Sequence, residues 1–141
     1  ACVRVRAWDR INSETGLLEE ARLDVATRDA VSGRTIYVDA NVTCAHCGYE
    51  PRQQARAGKD GVAAADAVRQ KRQRYPPSGG ELVPLVFEAG GRPAEETVAF
   101  VRSWAAELED AERSKVIRYA WQQYSCTLQS GNAEMILSAI G

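Results

Sequence analysis

The chain has 141 residues, of which 45% are hydrophobic and 26% charged, and its formal net charge at neutral pH is −1. This length suffices for one sizeable hydrophobic core. The charge lacks the basic excess of a freestanding nucleic-acid-binding protein, so binding to DNA by the chain alone is expected to be weak and salt-sensitive. No apolar run approaches the length that spans a bilayer. Because the chain starts at Ala1 and its one methionine is Met135, we expect a piece of a longer polypeptide.

A β-hairpin is predicted in the first third of the chain. Residues 23–27 alternate between apolar and polar side chains, and the Ser-Gly pair within residues 29–33 is typical of a turn. The returning strand covers residues 35–43. Such a hairpin brings Asp24 beside Asp39. Two negative charges so close together are tolerated mainly when a cation lies between them. The hairpin therefore predicts a metal site.

The returning strand has two chemically different faces, because successive strand side chains point to opposite sides. The face predicted to lie against the core carries Ile36, Val38, Ala40 and Val42. The other face carries Tyr37, Asp39 and Asn41. Asp39 is thus expected on the side of the strand that is not buried in this core.

The segment after this strand offers soft ligands for a metal. Cys44, His46 and Cys47 lie within four residues, at the start of a long predicted loop over residues 44–59. Zinc favours such ligands, but a closed site needs a fourth. One CxxC with one His is a weak signal beside the paired spacings of zinc modules, so a reduced loop is favoured over structural zinc.

A helix is predicted over residues 60–75, where Pro76 ends the helical pattern. Lys71 and Tyr75 are four residues apart and therefore share a face of this helix. Positive charge suited to phosphate contacts comes from Arg69, Arg72 and Arg74.

The remaining elements read as one strand followed by helices. Residues 82–88 are mostly apolar, as expected for a strand buried on both faces. Pro93 suits the first turn of the next helix. Further helices are predicted over residues 111–128 and 133–140, separated by a break at residues 130–132, which contain a glycine.

In this order of elements, residues 20–90 resemble the restriction-like endonuclease domain of site-specific non-LTR retrotransposons, a branch of the PD-(D/E)XK nucleases. The matching segments are Arg22-Leu23-Asp24, Val38-Asp39-Ala40-Asn41-Val42, Lys71-Arg72-Gln73-Arg74-Tyr75 and Val83-Pro84-Leu85-Val86-Phe87-Glu88. Leu23 stands where the family has proline. Asn41 stands where the wider superfamily has its catalytic lysine. The retrotransposon branch moves that lysine to the helix, and Lys71 fits the relocated position.

The resemblance implies an α/β fold with a restriction-endonuclease-like mixed four-stranded sheet flanked by helices. The first strand is expected at residues 2–8. The nuclease-like core is expected over residues 1–92, with the helices of residues 93–141 packed on the same domain as a C-terminal extension.

The resemblance also implies Mg²⁺- or Mn²⁺-dependent nicking of target DNA for retrotransposon integration. The catalytic residues carried over are Asp24, Asp39, Lys71 and Tyr75, with the two aspartates as metal ligands. The DNA-binding residues are Arg69, Arg72 and Arg74. The implied partners are DNA and neighbouring reverse transcriptase and DNA-binding domains of a longer polypeptide, without a membrane, and the expected location is intracellular and nuclear.

Two other classes of function stay open from the sequence. The domain can have kept the nuclease fold and its DNA binding while losing catalysis, which Leu23 and Asn41 permit. It can also be a structural or assembly domain whose C-terminal helices form a protein interface. Tyr75 has an architectural interpretation too, since a tyrosine at a helix end more often packs than reacts.

Overall fold

The computed structural model describes residues 2–29, 31–45, 54–55, 57–77 and 80–140. The described strands are β1 (Val3–Arg4), β2 (Arg10–Ile11), β3 (Leu18–Glu19), β4 (Arg22–Leu23), β5 (Val25–Arg28), β6 (Thr35–Thr43) and β7 (Glu81–Glu88). The described α-helices are α1 (Val62–Arg74), α2 (Glu95–Trp104) and α3 (Asp110–Ile140), and Arg6–Trp8 forms a short 3-10 helix. The chain is therefore a mixed α/β protein with a helical C-terminal part, as predicted.

The central sheet of the described residues has the strand order β5-β6-β7. β5 and β6 form the predicted antiparallel hairpin, with Val25 opposite Val38. Its turn is closed by the Asp29 amide, which donates to the Arg34 carbonyl at 2.9 Å, and by Gly33, whose φ of 67° is accessible to glycine at little steric cost. β6 and β7 run parallel.

The finer expectation of one four-stranded sheet is not confirmed. β1 pairs with β4, and β2 pairs with β3, in separate two-stranded sheets. The predicted strand at residues 2–8 is also shorter than expected, because the chain turns into the 3-10 helix after Val5. That turn directs Trp8, only 2% exposed, into a core cluster with Val5, Leu23 and Leu82.

Helices cover both faces of the sheet. On one face, Val86 of β7 packs against Ala64, Ala67 and Val68 of α1. On the other, Leu85 of β7 and Val38 of β6 pack against Phe100 of α2. Alternate side chains of β7 therefore enter different core layers, as predicted for a strand buried on both faces.

β7 is an edge strand whose open side is occupied by residues 92–94 and by α2. The hydroxyl of Thr97, a fully buried side chain, accepts a hydrogen bond from the Val86 amide at 2.9 Å and lies 3.2 Å from the Val86 carbonyl oxygen. Pro84 lies two residues earlier, so its nitrogen faces the same open side. Its missing N–H therefore removes no bond from the β6–β7 ladder.

The predicted helix break at residues 130–132 is wrong, because α3 continues without interruption to Ile140. A glycine inside a helix costs about 1 kcal/mol relative to alanine, which tertiary contacts can offset. Here the Asn132 side-chain amide donates to the Ala89 carbonyl at 2.9 Å, and the ring of Tyr124 lies 5.2 Å from that of Phe87. Within the described residues, no helix combines the length and apolar character needed to cross a membrane.

Replacing the helical glycine of α3 is expected to stabilise the protein. Gly131 has open space where a Cβ would lie, so Gly131→Ala should raise the free energy of unfolding by about 0.5–1 kcal/mol. Gly33→Ala is the matched control, since its Cβ also meets open space but its φ is +67°, and it should lower that free energy. Urea denaturation measures both. Destabilisation by Gly131→Ala would contradict an uninterrupted α3.

Candidate active site

Asp24 lies on a β-bulge between β4 and β5. Its amide donates to the Val38 carbonyl at 3.1 Å, although Val38 already pairs with Val25, so two residues of one strand face one residue of the other. Its carboxylate oxygen Oδ2 accepts a hydrogen bond from the Ala40 amide at 2.7 Å. The bulge thus fixes the Asp24 carboxylate against the β6 backbone, one residue beyond Asp39.

Asp39 projects from β6 toward α1, where it forms an ion pair with Lys71. The Lys71 ammonium donates to the Asp39 carboxylate, and the two side chains are only 15% and 14% exposed. An ion pair this sheltered is screened less by salt than a surface pair, and loss of either partner leaves an uncompensated charge. The contact joins the second acidic strand to the helix.

Tyr75 lies at the C-terminal end of α1, close to the same carboxylates. Its ring packs 5.3 Å from that of Trp8. Burial raises the pKa of Tyr75 above its usual value, and the negative charge of Asp39 raises it further, with a smaller contribution from Asp24 and partial opposition from Arg74. The phenol therefore stays protonated at neutral pH and can act as a hydrogen-bond donor, not as a base.

The structure brings two of the four side chains predicted to be catalytic into direct contact, and the roles of all four stay predictions. Asp39 contacts Lys71 directly, and Asp24 is bound to the next peptide along β6. The α1 side of the sheet therefore carries the Asp39–Lys71 ion pair, with Asp24 held at the neighbouring β6 peptide and Tyr75 at the end of α1.

A tryptophan that the sequence interpretation missed holds this end of α1 in place. The indole N–H of Trp8 donates to the Pro76 carbonyl at 2.6 Å. The Arg74 guanidinium donates to the Trp8 carbonyl at 2.7 Å and lies 3.4 Å from the Glu19 carbonyl oxygen. The N-terminal segment thus holds in place the last turn of α1, which carries Lys71. The signal in the sequence was a tryptophan among alternating apolar residues, which does not reveal its distant partners.

The three arginines predicted to bind DNA differ in what they contact. Arg74 is engaged by the backbone carbonyls of the N-terminal strands, which gives it a structural role that the sequence did not suggest. Arg69 pairs with Asp66 one turn earlier but remains 67% exposed. Arg72 is exposed on the same outer surface of α1. Arg69 and Arg72 are the two that remain exposed to solvent.

The carboxylates suit a hard divalent cation. Mg²⁺ and Mn²⁺ prefer oxygen ligands, and Mg²⁺ is commonly held by one or two carboxylates with water and substrate phosphate completing its octahedron. Across the described ranges, no cluster of three or more His, Cys, Asp or Glu side chains is arranged to hold a metal. Asp24 and Asp39 are oxygen donors of the type that Mg²⁺ uses, and their role as metal ligands stays a prediction.

The proposed zinc ligands are only partly described. Cys44 follows β6 directly and is half-buried. His46 and Cys47 lie outside the described residues, so the zinc site and its alternative, a reduced loop, both stay predictions.

A large apolar groove lies on the opposite face of the sheet from Asp39. It has a volume of about 630 Å³ and runs between the C-terminal halves of β6 and β7 and the last turns of α3. Its walls include Val42, Phe87, Leu128 and Met135. The acidic site and the apolar groove are therefore separate features of the molecule.

Substitution of the arginines is expected to separate their roles. Arg74→Ala leaves backbone carbonyls without a charged donor and should lower the free energy of unfolding by about 1–3 kcal/mol. Arg72→Ala, its neighbour on the exposed surface, should change that free energy by less than about 0.5 kcal/mol. Urea denaturation of both variants measures the difference. Equal stability of the two would contradict the structural role of Arg74.

Comparisons with known proteins leave the geometry of this site as the basis for a function. No protein-family model matches the chain, and neither do curated proteins or solved structures.

Proposed function

We propose that this chain is a metal-dependent endonuclease domain that nicks DNA, of the restriction-like type found in non-LTR retrotransposons. The observation that carries the proposal is the contact between Lys71 of α1 and Asp39 of β6, beside the bulge-held Asp24. Because Asn41 occupies the strand position where the wider superfamily has its lysine, the proposed site needs a lysine from another element, and α1 supplies Lys71. This contact also favours an active enzyme over an inactive nuclease-fold binding module.

The residues have distinct roles in the proposed reaction. Asp24 and Asp39 would hold Mg²⁺ or Mn²⁺, which when bound would supply water activation and charge stabilisation at the scissile phosphate. Lys71 brings a positive charge within reach of a phosphate oxygen, where negative charge develops in the transition state. Tyr75, kept protonated by its raised pKa, donates a hydrogen bond to the phosphate.

The distribution of charge supports DNA as a substrate held mainly by other domains. Arg69 and Arg72 offer two exposed cations on α1, enough to position a phosphate backbone beside the site. The net charge of −1 is too low for tight independent binding. We therefore propose that neighbouring reverse transcriptase and DNA-binding domains supply most of the DNA affinity, at a nuclear location.

Assembly is the second candidate function, and the end of α3 favours it. Four large apolar side chains there are 59–77% exposed, namely Met135, Ile136, Leu137 and Ile140. Between Tyr119 and Ile140 the sequence has one charged residue, Glu134. An apolar helix end with a single charged residue matches a second copy of itself with little charge repulsion.

Substitution at this helix end is expected to change the oligomeric state if assembly is the function. Leu137→Asp and Ile140→Asp should each shift a self-associating protein toward the monomer, because a charge placed in an apolar interface is costly to bury. Val31→Asp, at an exposed apolar residue outside α3, should leave the mass unchanged. Sedimentation equilibrium measures the mass. A wild-type protein that is monomeric at high micromolar concentration would contradict self-assembly.

Nicking is expected to depend on Asp39. Asp39→Asn removes a ligand charge while preserving the side-chain shape, so Mg²⁺- or Mn²⁺-dependent nicking of supercoiled plasmid should fall at least about a hundredfold. DNA affinity measured without a divalent cation, where it is set by the arginines, should hardly fall. Asp60→Asn, at an 81% exposed carboxylate paired with Arg92, is the matched control and should nick normally.

The assay is run at low salt, with the domain alone and joined to its natural neighbouring domains. Wild-type protein that binds DNA but never nicks it in either form would replace the enzyme with the inactive binding module. Loss of nicking in Asp60→Asn as well would show that the effect does not belong to this site.

A further inference from the structure

The ion pair between Lys71 and Asp39 places an ammonium group on a carboxylate that is also proposed to bind a metal ion. Lys71 contacts Oδ2 of Asp39, and both side chains are largely sheltered from water. In this arrangement the two carboxylates and the ammonium carry a summed charge of −1, from −2 and +1. The resting site is therefore partly neutralised by the protein itself.

A divalent cation on Asp39 must share that carboxylate with Lys71. Adding the cation changes the summed charge from −1 to +1, and it brings a charge of +2 close to the ammonium. Such repulsion is much stronger in a partly sheltered site than in bulk water. The Asp39–Lys71 contact should therefore weaken cation binding as long as Lys71 has no other negatively charged partner.

A phosphodiester supplies the missing negative charge. One phosphate brings the summed charge from +1 to zero, and its oxygens accept from an ammonium as well as a carboxylate does. Lysine has a flexible stem with three donors, so Lys71 can exchange one acceptor for the other while α1 stays in place. Asp24 does not need to move, since its carboxylate is fixed by the Ala40 amide.

We propose that Lys71 couples cation binding to DNA binding: it occupies Asp39 in the DNA-free protein and transfers to the phosphate when DNA arrives. This inference rests on the proposed nuclease function and adds a regulatory property to the same site. The cation then binds tightly only when substrate is present, which prevents the domain from carrying a loaded site without DNA. Because coupling is reciprocal, the cation strengthens DNA binding by the same factor.

The experiment measures Mn²⁺ affinity by electron paramagnetic resonance, with and without a short DNA duplex at low salt. In the wild type, DNA should raise the affinity by at least about tenfold, within the usual range of coupling between sites. Lys71→Met keeps the length of the side chain without its charge. It should raise the DNA-free affinity by a similar factor and reduce the effect of DNA to less than about threefold.

Three further variants make the result specific. Lys71→Gln, a second neutral variant that retains a hydrogen-bond donor, should behave as Lys71→Met does if the ammonium charge is responsible. Lys115→Met, at an exposed lysine of α3, should match the wild type. Asp39→Asn should lose Mn²⁺ binding both with and without DNA. Thermal unfolding of each variant identifies any that does not fold, and either neutral Lys71 variant suffices for the test.

The outcomes distinguish failure of the coupling from failure of the proposed function. If DNA leaves the Mn²⁺ affinity of the wild type unchanged and neutral Lys71 variants bind Mn²⁺ no better, the coupling is wrong although the metal site stands. If the wild type and the Lys71 variants all bind no Mn²⁺ with or without DNA, the metal site and the nuclease function are wrong as well.

Discussion

The contact between Asp39 and Lys71 is the interaction on which the candidate site depends, because it joins a strand of the central sheet to the helix above it. A sheltered ion pair is stable only when both partners stay in position. Two sets of packing contacts hold α1 there. Ala64 and Ala67 let the helix approach β7 closely, and Trp8 with its hydrogen bond to Pro76 holds the other end. The N-terminal strands are thus part of the site's support.

The central elements could be predicted from local sequence because one dominant constraint shaped each of them. Alternating side chains placed β6 at residues 35–43, which agrees with the structure at both ends. The apolar run at residues 82–88 became β7, one residue longer at its start. The continuity of α3 could not be predicted, since the glycine signal was local while the contacts that outweigh it come from Ala89 and Phe87.

The site residues, like the fold, could be predicted where local sequence determines their position and not where distant contacts do. The face of β6 that carries Asp39 and the helix face that carries Lys71 both follow from periodicity, and the fold brings them into contact. The bulge at Asp24 does not follow from periodicity, because it depends on which strand residues pair. The structural role of Arg74 does not follow from the sequence either. Its positive charge suggests a contact with phosphate, whereas in the structure it donates to the Trp8 carbonyl. Charge alone did not distinguish a structural arginine from a binding one.

The most direct measurement of the central claim is the location of the cation in solution. Mn²⁺ broadens the NMR signals of nearby nuclei, so a titration of ¹⁵N-labelled protein with Mn²⁺ in the presence of a DNA duplex reports where it binds. If the cation binds at Asp24 and Asp39, the amide signals of Asp24 and Ala40 should broaden first, together with that of Lys71. The exposed acidic residues between α2 and α3 include Glu107 and Glu109. Broadening that begins there instead would contradict a cation site at Asp24 and Asp39.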